Sequence, residues 1–352
     1  MFNSYSKYIL NSYIAFLRAN LNNDSNSLNK PLDDLYQEYT IRDNNFPRPI
    51  LTFLGVNALS DTFNDITHFK DVQITFIPQL IRDFLAIHDD IIDEDLIKFN
   101  NDTLPFAFSK LEQQSVNQMS KWGKDIALLY ADFQITLPFT IINNLKVSDD
   151  IKVKIYNLVC NVLKVTNQGQ IEELLLNHRK LEDISLDNIC CLYKKKAADY
   201  CYAFPLALGM TYSGYDSQLI CETRDILLDI GMFSQIVNDI EGVFFESFSN
   251  ERNTLSDLLL LRRTYLLIKL RKQLRNENEI SLLNNSELTY TQALMIKQLM
   301  VDYKVLSDTI SEIRNGCKSI IKRIENAKLG LVLKNHLLNT IDNRILNNIA
   351  KI

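Results

Sequence analysis

Glycine and proline are scarce in this chain, at nine and seven of 352 residues. That scarcity argues against Gly-rich nucleotide-binding loops and against an all-β sandwich, whose many turns would need both residues. Neither GxGxxG nor a GxxxxGK(S/T) loop occurs. Basic blocks are missing apart from Lys194, Lys195 and Lys196, and the formal charge is -5, so no nucleic-acid partner is expected. The six cysteines, Cys160, Cys190, Cys191, Cys201, Cys221 and Cys317, match no zinc spacing and read as free thiols of a reducing compartment. No run reaches 18 uninterrupted apolar residues, and the N-terminus shows no basic leader ahead of a long apolar run. No membrane span and a cytoplasmic location are the expectations.

What is present is helical text. Hydrophobic residues make up 46% and charged residues 23%, ordinary for a soluble globular protein. The apolar spacing predicts helices over 4–21, 33–42, 49–66, 73–96, 107–118, 120–143, 150–167, 185–213, 218–246, 254–271, 289–317 and 321–350. Polar breaks fall at 22–29, 44–47, 98–105, 168–183, 247–253 and 276–286. None is long enough to be an interdomain linker, and no repeat is visible. The expectation is a single all-α domain over 1–352, a large bundle around a cavity.

Two segments carry the chemistry. In FLAIHDDIIDED, Phe84 to Asp95, the acids Asp89, Asp90, Asp93, Glu94 and Asp95 stand in otherwise apolar text. Asp89 and Asp93 are four apart and share a helical face, with Asp90 beside them. Like charges at that spacing repel, and desolvating them is costly. A divalent cation relieves both problems. Hard oxygen donors without a Cys or His pair point to Mg2+, which usually joins carboxylates to substrate phosphates. The alternative is a solvated acidic helix end. In GMFSQIVNDIEGVFFE, Gly231 to Glu246, the residues Asn238, Gly242 and Glu246 recur at four-residue steps, again on one face. Asn238 offers a carbonyl oxygen and Glu246 a carboxylate. Gly242 leaves room for a water or a substrate oxygen, and Asp239 lies adjacent. The expected arrangement is two facing walls that hold a diphosphate through several magnesium ions.

IHDDIIDED resembles the first aspartate-rich motif of class I trans-isoprenyl diphosphate synthases, of the terpene synthase superfamily. Further matches follow in order. Arg48-Pro49 resembles an Arg-Pro step, and Ala131-Asp132 a small residue followed by Asp. In KKKAADYCYAFPLALG, Lys196 stands at a lysine and Pro205 at a kink. Gln235-Ile236 with Asn238-Asp239 resembles the second motif, and Arg262 with Thr264 a Lys-x-Thr. The resemblance covers roughly residues 45 to 270. It implies the isoprenoid synthase fold, an allylic isoprenyl diphosphate substrate and about three Mg2+ ions.

The departures bear on the chemistry. Synthases place a Gly-Lys-Arg where this chain has Asn44, Asn45 and Phe46, and paired arginines where it has Lys98 and Phe99. The diphosphate of an isopentenyl acceptor thereby loses about three cationic contacts, each worth about 1.5–3 kcal/mol. It should bind poorly unless another basic group substitutes. The second motif has Gly242 where its last Asp belongs, so that Asn238, Gly242 and Glu246 resemble the Asn–Ser/Thr–Glu triad of class I terpene synthases. On this ground the expected function is a terpene synthase that ionises a C10 or C15 diphosphate and cyclises the cation. The alternative is a trans-isoprenyl diphosphate synthase or a prenyltransferase with another acceptor. A non-catalytic metal-binding or regulatory protein is the third reading.

By the same resemblance, Asp89, Asp90 and Asp93 hold one part of the metal cluster, and Asn238 and Glu246, beside Gly242, the other. Lys196 contacts the diphosphate, with a surface lysine as its bland alternative. Arg252 and Arg262 are further cations on a segment that could close and exclude water from the cation. Phe84, five residues before Asp89, limits chain length or simply packs. Phe233 and Tyr200 are candidates to flank a carbocation, Gln235 lies with the substrate-binding group, and His88 is a base or a packing residue. A homodimer is expected, paired through the apolar stretch Ile126 to Ile142.

Overall fold

The computed structural model describes residues 2–21, 28–42, 45–98, 100–112, 116–245, 255–285 and 288–352. Helices dominate, as the periodicity predicts, and the fold is all-α. The only strands among the described residues are a two-residue antiparallel pair, β1 (Ile97–Lys98) and β2 (Asn101–Asp102). The chain groups into two compact units, residues 1–58, 62–160 and 204–220 in the first, and 59–61, 161–203 and 221–352 in the second.

The first unit contains α1 (Phe2–Asn20), α2 (Lys30–Ile41), α3 (Pro47–Val56), α4 (Ile77–Ile92), α5 (Leu104–Glu112), α6 (Lys121–Asn144), the start of α7 (Asp149–Asn177) and α9 (Phe204–Tyr212). Helix α3 ends ten residues before the expected 66. Ser60, Asp61, Thr62, Asn64 and Asp65 follow it, and their short side chains compete for backbone groups and favour turns. Helices α3 and α9 meet backbone to backbone. A Cβ on Gly55 would collide with the Leu206 carbonyl, and one on Gly209 with that of Thr52. Helix α4 starts at a proline turn and buries Ile77, Leu80, Ile81 and Ile87 completely. It stops at Ile92, four residues short of the expected end, where Glu94 takes a left-handed φ of 56°. The β1–β2 hairpin then turns Lys98 back toward the helix end.

The second unit contains the rest of α7, α8 (Leu186–Tyr193), a π-helical stretch (Lys194–Ala203), most of α10 (Ser217–Phe244), α11 (Ser256–Leu259), α12 (Tyr265–Gln273), α13 (Glu277–Leu282), α14 (Tyr290–Asp302), α15 (Val305–Asn326), α16 (Leu331–Ile341), a second π-helical stretch (Asp342–Leu346) and α17 (Asn347–Ile349). Helix α7 runs ten residues past its expected end at 167. The polar text there is a packing device, since a Cβ on Gly169 would lie 2.9 Å from the Lys196 amide nitrogen. The expected helix 289–317 is two helices, divided at Lys304 (φ 57°). The expected 321–350 is divided at Ala327–Gly330, where Gly330 packs on the backbone of Leu59 and Ser60. The 254–271 region breaks at Leu261 (φ 47°) before Thr264 caps α12.

Candidate active site

The end of α4 gathers charge. Asp90 is fully buried and its Oδ1 accepts a 2.7 Å hydrogen bond from the Lys98 ammonium. The same ammonium lies 3.3 Å from Asp89 Oδ2 and 3.9 Å from Asp95 Oδ2. Asp93 caps the helix, its N–H donating to the Asp89 carbonyl at 2.8 Å. Burial raises the Asp90 pKa to about 6, against the pull of Lys98. Burial also works against the Lys98 charge, but attraction to Asp90 and Asp89 outweighs it and leaves the ammonium above its ordinary value. Among the described residues no three carboxylate, imidazole or thiol side chains gather closely enough to hold a metal ion by themselves. Yet this carboxylate set already clasps a hard cation, the ammonium. Mg2+ fits such donors and characteristically completes its shell with water and phosphate oxygens rather than protein alone.

Phe84 is half-buried two turns or less below these acids, and its ring meets that of His88 at a 53° tilt, 4.5 Å between centroids. Its ring packs against the core formed by Tyr36, Tyr39, Ile87, Leu104, Phe108, Ala127 and Ala131. His88 Nδ1 lies 3.0 Å from the Phe84 carbonyl, which ties the imidazole to its own helix. The basic positions that sequence comparison finds missing have become structure. Phe46 is fully buried and meets the Tyr13 ring edge-on at 5.7 Å, and the Asn45 carbonyl accepts from the Ser6 hydroxyl at 2.9 Å.

In the second unit the acidic motif of α10 is arranged differently. Asp239 is buried and accepts from the Tyr193 hydroxyl and, at 3.3 Å, from the Tyr265 amide. Tyr193 also accepts from that amide at 3.1 Å. Burial raises the Asp239 pKa to about 8. Asp239 is thus a staple between α8, α10 and the first turn of α12. Asn238 is half-buried and reaches Gln235 Oε1 at 3.4 Å. Among the described residues, a Cβ on Gly242 would meet only Asp257 Oδ2, at 3.4 Å, so a carboxylate from the following segment stands beside the missing one. Arg262 lies 3.7 Å from Asp257 and donates its amide to the Asp257 carbonyl at 2.8 Å. Lys196 is ion-paired with Glu173, which lies on α7 and not in the polar break expected at 168–183. Tyr200 is half-buried in the π-helical stretch. Phe233 sits in a notch at Gly316 on α15, where any Cβ would strike its ring. Glu246, Arg252, Phe99 and Asn44 lie outside the described residues.

Among the described residues one helix, α6, is long and apolar enough to cross a membrane. It packs on α4 and α5, with Gly123 pressed against Pro105 and Ser109.

Comparison with known proteins gives consistent matches. A family model described as polyprenyl synthetase matches residues 29–302. A geranylgeranyl diphosphate synthase of Saccharolobus solfataricus is 22% identical over 214 residues, which span 59% of this chain and 59% of that protein. Geranylgeranyl pyrophosphate synthase of Corynebacterium glutamicum, solved with isoprenyl diphosphate and magnesium, matches with a TM-score of 0.83 and 16% identity, over 97% of this chain and 98% of that one. A decaprenyl diphosphate synthase of Rhodobacter capsulatus matches with a TM-score of 0.76 and 16% identity, over 99% and 97%. At such identities the structural likeness establishes the fold.

Proposed function

Because the chain belongs to the polyprenyl synthetase family, we propose that it is a magnesium-dependent prenyltransferase of the trans-isoprenyl diphosphate synthase type. In this reading it ionises an allylic diphosphate and joins the allylic fragment to isopentenyl diphosphate or another acceptor. Cyclisation, which Asn238 and Gly242 suggest in the sequence, reaches no further than the shared superfamily. The observation that carries the proposal is the clasp of Asp89, Asp90 and Asp95 around the Lys98 ammonium, a cation site in the first acidic motif.

Mg2+, when bound, supplies the electrophile that stabilises charge on the departing diphosphate. Asp89, Asp90 and Asp93 are the residues proposed to hold it. Lys98, whose ammonium Asp89, Asp90 and Asp95 hold, would be displaced from them by a bound divalent ion and is proposed as a cation for the substrate's diphosphate oxygens. Within the second unit, Asn238 and Glu246 are proposed as oxygen donors. Lys196 is proposed to exchange Glu173 for a diphosphate, and Arg262 to act as a further cation. Phe84 is proposed as the residue that sets the depth available to the prenyl chain.

The test is product analysis. Purified protein is incubated with geranyl, farnesyl or geranylgeranyl diphosphate, with and without isopentenyl diphosphate and magnesium. Longer diphosphates that need both additions are expected. Metal-dependent hydrocarbon or alcohol release without isopentenyl diphosphate would instead favour cyclisation.

A homodimer is part of the proposal. Much of Ile126–Ile142 faces inward, through Ala127, Ala131, Leu137, Ile141 and Ile142. Leu129, Val153 and Tyr156 remain 63%, 58% and 49% exposed on α6 and the start of α7. Sedimentation at micromolar concentration is expected to show about twice the 40.8 kDa chain mass, and a species at the chain mass throughout would reject it.

A further inference from the structure

The two carboxylate oxygens of Asp90 face different elements of the first unit. Oδ1 accepts from the Lys98 ammonium of the hairpin at 2.7 Å. Oδ2 faces the Tyr39 hydroxyl, which donates to it across 3.4 Å from the last turn of α2. Tyr39 belongs to neither acidic motif and stands 51 residues before Asp90. It is buried, its ring set in the core with Tyr36, Ile87, Leu104 and Phe108. The Arg42 guanidinium lies over that ring, 4.8 Å from its centroid, and Arg42 Nη2 donates to the Asp102 carbonyl on β2. Helix α2 thus reaches the carboxylate through Tyr39 and the hairpin that carries Lys98 through Arg42.

The chemistry of the two partners differs. A divalent ion can replace the ammonium at Oδ1, because one cation takes the place of another. The hydroxyl is fixed by the packing of its ring and keeps its donor at Oδ2. One oxygen of Asp90 is therefore open to exchange and the other is reserved. That distinction separates the common divalent ions. Ca2+ builds a large, adaptable shell and readily takes both oxygens of one carboxylate. Mg2+ is smaller, demands near-octahedral geometry and keeps several waters, so a single oxygen from each carboxylate suits it. Without the hydroxyl, Oδ2 would lose the donor that faces it in a buried place, and an ion bound to both oxygens would make good the loss.

Resting on the reading that Asp90 takes part in holding Mg2+, we propose that Tyr39 is the positioning residue that sets the metal specificity of the site. Its hydroxyl reserves Asp90 Oδ2, leaves Oδ1 for one bond to the ion, and so favours Mg2+ over Ca2+. Tyr39 touches neither metal nor substrate. Arg42 secures the arrangement by packing on the ring and tying α2 to the hairpin.

Displacement of bound Mn2+ by Mg2+ or by Ca2+, followed by electron paramagnetic resonance on the full chain, tests this. The readout is the ratio of the two displacing concentrations, since a loss of packing alone would weaken both ions together. Mg2+ is expected to displace Mn2+ from the wild type at the lower concentration, and the reverse order would overturn the inference. Tyr39→Phe keeps the ring, and with it the core and the contact with Arg42. It is expected to weaken Mg2+ roughly tenfold, the scale for losing a group that orients a metal ligand. Ca2+ should weaken less or not at all, so the ratio moves toward Ca2+. Arg42→Gln leaves the hydroxyl in place and is expected to keep the wild-type ratio. An unchanged ratio in Tyr39→Phe would overturn the inference, whatever happens to overall affinity. The same shift in Arg42→Gln would also overturn it, because packing and not the hydroxyl would then set the preference. A wild type that binds no Mn2+ would sink the metal reading and the role of Tyr39 together. Wild-type binding with an unmoved ratio would sink only the role of Tyr39.

Discussion

Asp90 at the end of α4 and Asp239 inside α10 are both buried carboxylates, pushed up by burial to about 6 and about 8. Each belongs to an acidic motif, and each motif reads in the sequence as an oxygen-rich helical face. Their neighbours differ in kind. Asp90 faces the Lys98 ammonium on the β1–β2 hairpin, with Asp89 and Asp95 close by. Asp239 faces a tyrosine hydroxyl and a backbone amide, both neutral and both built into other helices. A charge partner can be exchanged for a metal ion at little structural loss. A hydroxyl and an amide cannot be released without opening α8 and α12. Position in a motif therefore does not decide what a carboxylate does, and its partners do.

The largest effect expected from this contrast is on turnover. Asp89→Ala should lower it by roughly a hundredfold to a thousandfold or more, the scale for losing a main electrostatic stabiliser. The melting temperature should hold or rise, because one like charge is gone from the cluster. Turnover near that of the wild type would remove Asp89 from the metal site.

Asp239→Ala should show the reverse pattern, a loss of fold. It strips the acceptor from the Tyr193 hydroxyl and the Tyr265 amide, at about 2–4 kcal/mol in denaturant melts. Asp239→Asn keeps a carbonyl acceptor and should lose less. The sign of its pH dependence follows from the raised pKa. The native protein holds this proton more tightly than the unfolded chain, so the contribution is complete below the ordinary value of 3.8 and is lost as pH rises through about 8. Wild-type stability should therefore fall relative to Asp239→Asn between pH 5 and pH 8, on the order of the cited shift. A flat or opposite difference would show that Asp239 is ionised in the folded protein.

The smallest effect concerns the gap in the second motif. Among the described residues, only Asp257, at van der Waals distance, lies near where a Cβ on Gly242 would go. Gly242→Ala should stabilise by about 0.5–1 kcal/mol, the ordinary helical penalty of glycine. Gly209→Ala, where the Thr52 carbonyl blocks the Cβ, should destabilise in the same thermal melts. Equal responses would contradict the difference in packing.

How much of this was legible in the sequence depends on the distance between partners. The α4 motif was legible because its acids, and Lys98 eight residues after Asp90, lie in one short stretch. The helical class was legible from periodicity. The role of Asp239 was not, because Tyr193 lies 46 residues before it and Tyr265 26 after it. The same holds for Glu173, 23 residues from Lys196 in a stretch whose glycine and glutamines read as a break. Gly169 there serves a close approach between helices, which no local pattern announces.

Binding of Mn2+, a paramagnetic substitute for Mg2+, followed by electron paramagnetic resonance on the full chain, tests the contrast most directly. The account expects the double variant Asp89→Asn with Asp90→Asn to lose bound metal. It expects Lys98→Met to bind about tenfold more tightly, since a competing cation is gone, a change of about 1.4 kcal/mol. Asp239→Asn, measured where it is folded, should bind as the wild type does. Metal retained by the double variant and lost from Asp239→Asn would contradict the account, because the exchangeable cation site would then lie in α10 and not at the end of α4.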